Sequence, residues 1–143
     1  MRLPDVNLLV HAVNDVSAAQ PLAARWLAEG FDSGDGVALA WVAMLGFLRV
    51  TTRPGIFPRP LAPDQALGLL NRWLAQPAAR VVHPGPRHAA ILGRYLLTGG
   101  PAGNLTTDAH LATLAHEHGA TVGTFDRDFQ RFDRIRVDWL GQR

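Results

Sequence analysis

Apolar residues recur along the chain at two spacings, which predict short strands alternating with longer helices. Apolar runs that suit strands lie at Arg2–Asp5, Val37–Ala40, Arg80–His83, Thr121–Phe125 and Ile135–Trp139. Helices are predicted over Val6–Val10, Ser17–Glu29, Trp41–Val50, Asp64–Ala75, Pro86–Leu97 and Asp108–His118, with a short helix around Phe129. Because parallel strands need crossover connections, which are normally helical, this alternation predicts an α/β sandwich with a central parallel sheet.

Glycine, proline and threonine mark the expected ends of these elements. We expect Gly30 to end the second helix and Gly119 to end the last long helix. Thr106 or Thr107 is expected to cap the start of that last helix. The segment Arg53–Pro63 contains four prolines and is therefore predicted to be an irregular connection.

Length and hydropathy set the scale of the molecule. The chain has 143 residues, 48% of them hydrophobic and 18% charged, which predicts one globular domain over residues 1–143 with a sizeable core. Its longest apolar run, Val37–Leu48, has 12 residues, fewer than the roughly 18 expected of a membrane span. The first residues lack the features of a secretory signal, so we expect no membrane association and a cytoplasmic protein.

The absence of two residue types excludes several kinds of chemistry. The chain has no cysteine, which excludes disulfides, thiol nucleophiles and cysteine-ligated metals. All 14 basic residues are arginine, and without lysine there is no Schiff-base chemistry and no P-loop. The glycine-rich segment Gly99–Gly103 is accordingly predicted to be a turn. Neither of the two serines, Ser17 and Ser33, lies in a G-x-S-x-G motif, which argues against a serine hydrolase.

Four aspartates lie where this topology would bring them together. Asp5 ends the first predicted strand, Asp108 begins a helix, and Asp126 and Asp128 follow the strand Thr121–Phe125. The carboxyl ends of parallel strands meet at one edge of a sheet, and clustered carboxylates repel one another unless a cation neutralises them. Mg²⁺ or Mn²⁺ suits oxygen ligands, and a metal-bound water can attack a phosphate. The pattern therefore predicts metal-dependent phosphodiester hydrolysis.

The charge balance favours a polyanionic substrate, although structural explanations remain open. Setting aside the four aspartates leaves eight acidic residues against 14 arginines. Arg127 and Arg131 lie beside the proposed acids and are candidates to hold a phosphate backbone, or else form a solvated surface. Asp108 is equally explained as favourable charge at a helix start, and Asp126 with Asp128 as caps of the next short helix. Asp5 lies among apolar neighbours, so it should be partly buried and should need a partner for its charge.

Four segments carry a resemblance to a known family. They are Leu3–Val10, Gly46–Val50 with Pro54 after it, Thr107–Ala115 and Gly119–Phe129. Over nearly its full length the chain resembles PIN-domain ribonucleases of the VapC toxin type. The resemblance implies a parallel sheet of about five strands between helices, a Mg²⁺- or Mn²⁺-dependent endoribonuclease acting on RNA, and a cognate antitoxin. Asp5, Asp108 and Asp126 match the acidic positions of the family.

One position departs from the family pattern. The family usually carries a glutamate on the helix after the second strand, and this chain has Gly46 there. The departure implies one well-held metal rather than a symmetric pair, with Asp128 contributing directly or through water. Arg49 is a candidate to approach the site, and to contact RNA, in the space left by the missing acid. The alternative function is a PIN-like module that binds RNA or a partner protein without cleaving RNA.

The histidines and tryptophans are expected to have structural roles. His110, His116 and His118 do not form an H-E-x-x-H motif and are expected to be exposed or to lie at a helix end rather than to bind a metal. The four tryptophans are expected in the core or in an interface. The helix surfaces around Trp26 and Trp73 are the predicted sites for self-association as a homodimer and for an antitoxin helix.

Overall fold

The computed structural model describes residues 1–98 and 105–141, which form strands and helices in alternation. The strands are β1 (Arg2–Pro4), β2 (Val37–Ala40), β3 (Ala79–Val82), β4 (Thr121–Thr124) and β5 (Arg136–Trp139). The helices are α1 (Val6–Val13), α2 (Gln20–Asp32), α3 (Trp41–Thr51), α4 (Pro63–Leu74), α5 (His88–Thr98) and α6 (Thr106–His118), with a 3₁₀ helix at Arg127–Arg131. None of the helices in these ranges is long and apolar enough to cross a membrane.

The five strands form one parallel sheet in the order β3-β2-β1-β4-β5. In register, Leu3 on the central strand faces Val122 on β4, and Leu39 on β2 faces Val81 on the edge strand β3. Every residue of β2 is buried, which is the pattern of a strand covered on both faces. The predicted α/β sandwich is confirmed, and so is the five-strand parallel sheet implied by the family resemblance.

Trp26 anchors α2 on the sheet. Its indole ring lies directly over Gly123 of β4, where an added Cβ would come within 2.4 Å of the ring. The indole nitrogen donates a hydrogen bond to Asp138 on β5 at 2.8 Å. Only a residue without a side chain at position 123 permits this close approach, and Trp26 is consequently buried.

Several predicted boundaries are wrong by a few residues. Helix α2 begins at Gln20 rather than Ser17 and continues past Gly30 to Asp32. Gly30 packs against the sheet, where an added Cβ would lie 2.8 Å from Val37 Cγ2, so its small size serves packing rather than helix termination. Gly119 does end α6, with the left-handed φ of 64° that favours glycine.

The start of α6 also differs from its prediction. Leu105 is the residue that precedes the helix, no side chain caps it, and both threonines lie inside the first turn. The predicted turn at Gly99–Gly103 lies outside the described residues. Among the tryptophans, Trp41 is 46% exposed at the start of α3 and therefore does not belong to the core.

Candidate active site

A cleft of about 420 Å³ opens where β1 and β4 end. It is lined by Asp5, Val6, Asn7, Val10, His11, Arg49, Val50, Thr107, Asp108 and Asp126. β1 ends one residue before Asp5, β4 ends two residues before Asp126, and Asp108 lies in the first turn of α6. The structure thus brings three of the four singled-out aspartates to one cleft, with an arginine in the same wall.

Asp5 is buried and serves as the N-cap of α1. Its Oδ1 accepts a hydrogen bond from the Val6 backbone N–H at 2.7 Å, and its Oδ2 accepts one from the Thr124 hydroxyl at 2.9 Å. Burial raises the pKa of Asp5, the hydrogen bonds from Thr124 and Val6 oppose that rise, and the charge of Asp126 adds to it. The buried carboxylate of Asp5 is therefore satisfied by the first backbone N–H of α1 and by the Thr124 hydroxyl.

The Thr124 hydroxyl holds the two strand ends together. Besides donating to Asp5, it accepts a hydrogen bond from the backbone N–H of Asp126 at 3.0 Å. Asn7 adds a second link, because its Oδ1 accepts the Phe125 N–H at 3.1 Å and its Nδ2 lies 3.4 Å from the threonine oxygen. Thr124 is fully buried, and sequence reasoning did not single it out.

Asp108 is the cleft residue whose pKa is raised to a value far above its ordinary one. Its pKa is raised from 3.8 to about 7, first by burial and then by the charges of Asp5, Asp126 and Asp128, while Arg131 lowers it. Like charges that share a site disfavour the ionised form in this way. Asp108 therefore retains its proton to a higher pH than an ordinary carboxyl group.

Asp126 and Asp128 also make structural contacts. Asp126 caps the 3₁₀ helix, with its Oδ1 accepting the Asp128 N–H at 2.9 Å. Asp128 is exposed, pairs with Arg131 at 3.3 Å, and does not line the cleft. Arg127 is exposed as well, with its guanidinium 4.6 Å from the centre of the Trp139 ring. Asp126 thus belongs to the wall of the cleft, whereas Asp128, Arg127 and Arg131 lie outside its lining.

The acidic side chains of the cleft are oxygen donors, the kind of ligand that a hard divalent cation binds. As the side chains stand, no three histidine, aspartate or glutamate groups within residues 1–98 and 105–141 are close enough to hold a metal together. Their chemistry nevertheless fits a hard cation, because the cleft offers carboxylate oxygens, and burial together with the neighbouring carboxylates raises the pKa of Asp108. Mg²⁺ keeps several of its waters and needs only one or two protein carboxylates.

Gly46 explains why the cleft has one acid fewer than the family pattern. A Cβ at this buried position would lie 2.7 Å from Val6 Cγ2, so the side chain of Val6 occupies the space that a longer residue would need. Arg49, three residues further along α3, lines the cleft. The helix on which the family pattern would place a further carboxylate therefore contributes Arg49 to the cleft instead.

His116 and His118 lie in the last turn of α6, as expected, whereas His110 lies inside the helix and takes part in a side-chain cluster. His110 Nδ1 lies 2.9 Å from His88 Nε2, and His88 Nδ1 lies 2.5 Å from Glu117 Oε1. Glu117 Oε2 also accepts the Gly85 backbone N–H at 2.8 Å. His88 is buried and His110 is half-buried, so this cluster joins α5 to α6 through the protein interior.

Comparison with known proteins places the chain in a family. The PIN domain model matches residues 2–135. The chain is 44% identical over 138 residues to Ribonuclease VapC37 of Mycobacterium tuberculosis, covering 96% of each protein. The fold matches a sarcin-ricin loop cleaving toxin, VapC20 of Mycobacterium tuberculosis, with a TM-score of 0.69, 16% identity and coverage of 95% and 99%.

A further structural match is VapBC-1 from nontypeable Haemophilus influenzae, with a TM-score of 0.68, 17% identity and coverage of 97% of each chain. At such low identity the structural matches show the fold alone. The family model spans most of the chain, and the sequence relative covers nearly all of it. The chain therefore belongs to the PIN domain family and, within it, to the VapC ribonucleases.

Proposed function

We propose that this protein is the toxin of a toxin–antitoxin pair and acts as a Mg²⁺- or Mn²⁺-dependent endoribonuclease. The observation that carries the proposal is the meeting of Asp5, Asp108 and Asp126 in one cleft, where burial and the neighbouring carboxylates raise the pKa of Asp108. A cation bound there would offset the repulsion and favour the ionised form of Asp108. We also propose that the protein acts in the cytoplasm, where it would meet its RNA substrate.

Each residue of the cleft has a proposed role. Asp5 and Asp108 would hold the ion directly, Asp126 would complete or orient its shell, and Asp128 would help to position water. The bound ion would supply an activated water and stabilise charge on the phosphate. Thr124 orients the Asp5 carboxylate through its hydrogen bond.

Arginines would bind the RNA backbone around these acids. Arg49 lines the cleft and is the proposed contact to the phosphate next to the cleaved bond. Arg127 and Arg131 are exposed on the 3₁₀ helix that Asp126 caps, and they would contact phosphates further along the strand. The cleft thus combines an acidic floor with a basic border.

The test is cleavage of RNA by the purified chain with and without Mg²⁺ or Mn²⁺. We expect metal-dependent cleavage that falls by at least about 100-fold in Asp5→Asn and Asp108→Asn, because each would remove a metal ligand. Asp15→Asn, which changes an exposed aspartate outside the cleft, is the matched control. Circular dichroism establishes that the variants fold.

The alternative, a PIN-like module that binds without cleaving, is favoured by one observation. The cleft lacks the acid at Gly46, and Val6 fills that space. RNA that binds the chain but stays intact with either metal would favour this alternative. Cleavage that persists in both aspartate variants would contradict the proposed site.

An apolar groove between α1, α2 and α4 is the proposed antitoxin site. It is lined by Ala12, Val13, Ala24, Leu27, Ala28, Phe31, Asp32, Leu69, Arg72, Trp73 and Gln76. Apolar walls with one acidic and one basic residue suit an amphipathic helix of a partner protein. Trp73 lines this groove, and Leu27 and Ala28 beside Trp26 line it as well, whereas the Trp26 side chain itself is buried against the sheet.

The groove can be tested with the proposed antitoxin, which we expect to be encoded by the adjacent reading frame. Ala28→Arg places a long charged side chain on an exposed position of the groove and should abolish co-purification with that partner. Ala90→Arg, at an exposed alanine of α5, is the control. Equal co-purification of both variants would place the partner elsewhere.

A homodimer remains a separate proposal. Trp41 and Leu45 lie one helical turn apart on α3 and are 46% and 56% exposed, which is unusual for such large apolar side chains. We assign this face to a second copy of the chain. Light scattering should then report a dimer for the parent protein and a monomer for Leu45→Arg.

A further inference from the structure

His11 is a polar group of the cleft to which neither the metal site nor the family resemblance assigns a role. It lies on α1, one helical turn beyond Asn7, and both side chains line the cleft with the aspartates. His11 lies six positions after Asp5, which corresponds to about 9 Å along a helix axis, so the two residues lie on different turns of α1.

The ring of His11 is held in place from two sides. Its Nδ1 lies 2.8 Å from the Ser17 hydroxyl, and that same oxygen accepts the Ala19 backbone N–H at 3.1 Å. The ring also packs on Phe125, with the ring centres 4.7 Å apart and the planes at 57°. A ring fixed in this way loses little freedom when it binds a ligand.

The second nitrogen of the ring is available to a ligand. Nε2 has no hydrogen-bond partner in the part of the chain that the structure describes, and no side-chain nitrogen or oxygen there is both buried and without a partner. Nε2 is therefore open to solvent in the cleft. When the Ser17 hydroxyl donates its proton to His11 Nδ1, the ring carries its own proton on Nε2, which is then a donor.

Burial lowers the pKa of His11, which keeps the ring neutral at physiological pH. The half-buried ring lines the cleft and offers an aromatic surface together with a ring nitrogen. That combination suits a nucleobase, which stacks on aromatic rings and accepts hydrogen bonds at its edges, better than it suits a phosphate.

We propose that His11, supported by Phe125 and Ser17, contacts the base of the nucleotide that flanks the cleaved phosphate and sets the preference for that base. The proposal rests on the ribonuclease function proposed above. The substrate class is single-stranded RNA, because a base inside a duplex cannot leave its stack to reach the ring without unpairing. Arg49 in the same cleft would hold the adjoining phosphate.

The test uses the full chain and a pool of randomised single-stranded RNA whose cut ends are sequenced. His11→Ala removes the ring and the donor, and His11→Phe keeps a ring against Phe125 but removes the donor. His116→Ala is the control, because His116 lies at the far end of α6, outside the cleft. Thermal melting of each variant monitors the fold.

We expect His11→Ala to lose base preference at one position beside the cut and to raise KM by about tenfold on the preferred sequence, with kcat nearly unchanged. His11→Phe should lose the preference but retain part of the affinity through stacking. His116→Ala should match the parent chain. Unchanged preference and KM in both His11 variants would overturn the proposal.

A binding measurement separates this proposal from the ribonuclease function. If the parent chain cleaves no RNA, the proposed function fails, and labelled ten-nucleotide homopolymers of each base can still be titrated onto the Asp108→Asn protein. We expect that protein to bind one base more tightly than the others and to lose the difference when His11→Phe is added. Equal affinities with and without His11 would overturn the role of His11 independently.

Discussion

Gly46 shows how a single residue sets the chemistry that the cleft can hold. A Cβ there would lie 2.7 Å from Val6 Cγ2, and a β-branched valine cannot rotate easily out of the way. Gly46→Ala should therefore lower the free energy of unfolding by about 1–3 kcal/mol. In a Val6→Ala background the nearest remaining atom is Cβ at 3.5 Å, so the same substitution should cost much less.

Urea denaturation of the four proteins in this cycle measures the coupling. The control is Gly68→Ala, at a helical position with nothing within 4 Å, which should stabilise the protein by about 0.5–1 kcal/mol. An equal loss from Gly46→Ala in both backgrounds would show that Val6 is not the obstacle.

Thr124 shows how one hydroxyl positions two acids. Thr124→Val keeps the shape but leaves Asp5 Oδ2 and the Asp126 N–H without their partner. We expect a loss of about 1–3 kcal/mol of unfolding free energy and a clear fall in RNA cleavage. Thr113→Val, at a buried threonine that bonds only to the Ala109 carbonyl of its own helix, should leave cleavage unchanged. Equal cleavage in both variants would contradict the positioning role.

Sequence pattern could predict the aspartates but not the residues that hold them. Asp5 and Asp126 stand at strand ends, and topology alone brings strand ends together. Thr124 and His11 are recognisable only through contacts across more than a hundred residues, with Asp5 and Phe125 respectively. Such contacts depend on three-dimensional distances that no spacing along the chain records.

At the scale of elements, the strand and helix order was predictable and the junctions were not. Apolar periodicity reports which face of an element is buried, and this determines its type. Helix α2 continues past Gly30, whose small size allows close packing against Val37, and α6 begins without a side-chain cap. Both are outcomes of tertiary packing, which local propensity does not contain.

The junction of α5 and α6 relies on Glu117. Its carboxylate is nearly buried and bonds to both His88 and the Gly85 N–H, whereas Glu29, the only other glutamate, is 57% exposed and lies 3.4 Å from Arg2. Glu117→Ala should lower the unfolding free energy by about 2–4 kcal/mol, because it leaves two polar groups without partners. Glu29→Ala should cost less than about 1 kcal/mol. Similar losses in urea denaturation would show that the buried cluster does not stabilise the junction.

At the scale of the whole molecule, an acid that is proposed to bind the metal also lowers the stability of the metal-free protein as pH rises. The folded chain raises the pKa of Asp108 from 3.8 to about 7, so it retains a proton that the unfolded chain releases. This contribution to stability is fully present below about pH 4 and is lost as pH rises through about 7. Without metal, the parent protein should therefore become less stable across that range relative to Asp108→Asn, which has no such titration.

At pH 8 in a chelator, Asp108→Asn should be more stable than the parent by about 1–2 kcal/mol, a figure reduced because the group is partly exposed to solvent. Millimolar Mg²⁺ should raise the melting temperature of the parent, since a ligand that binds only the folded state stabilises it. The variant should gain little, and Asp15→Asn should respond like the parent. Equal gains from Mg²⁺ in the parent and Asp108→Asn would mean that the ion binds elsewhere, because the cleft would then have lost a proposed ligand without losing its affinity.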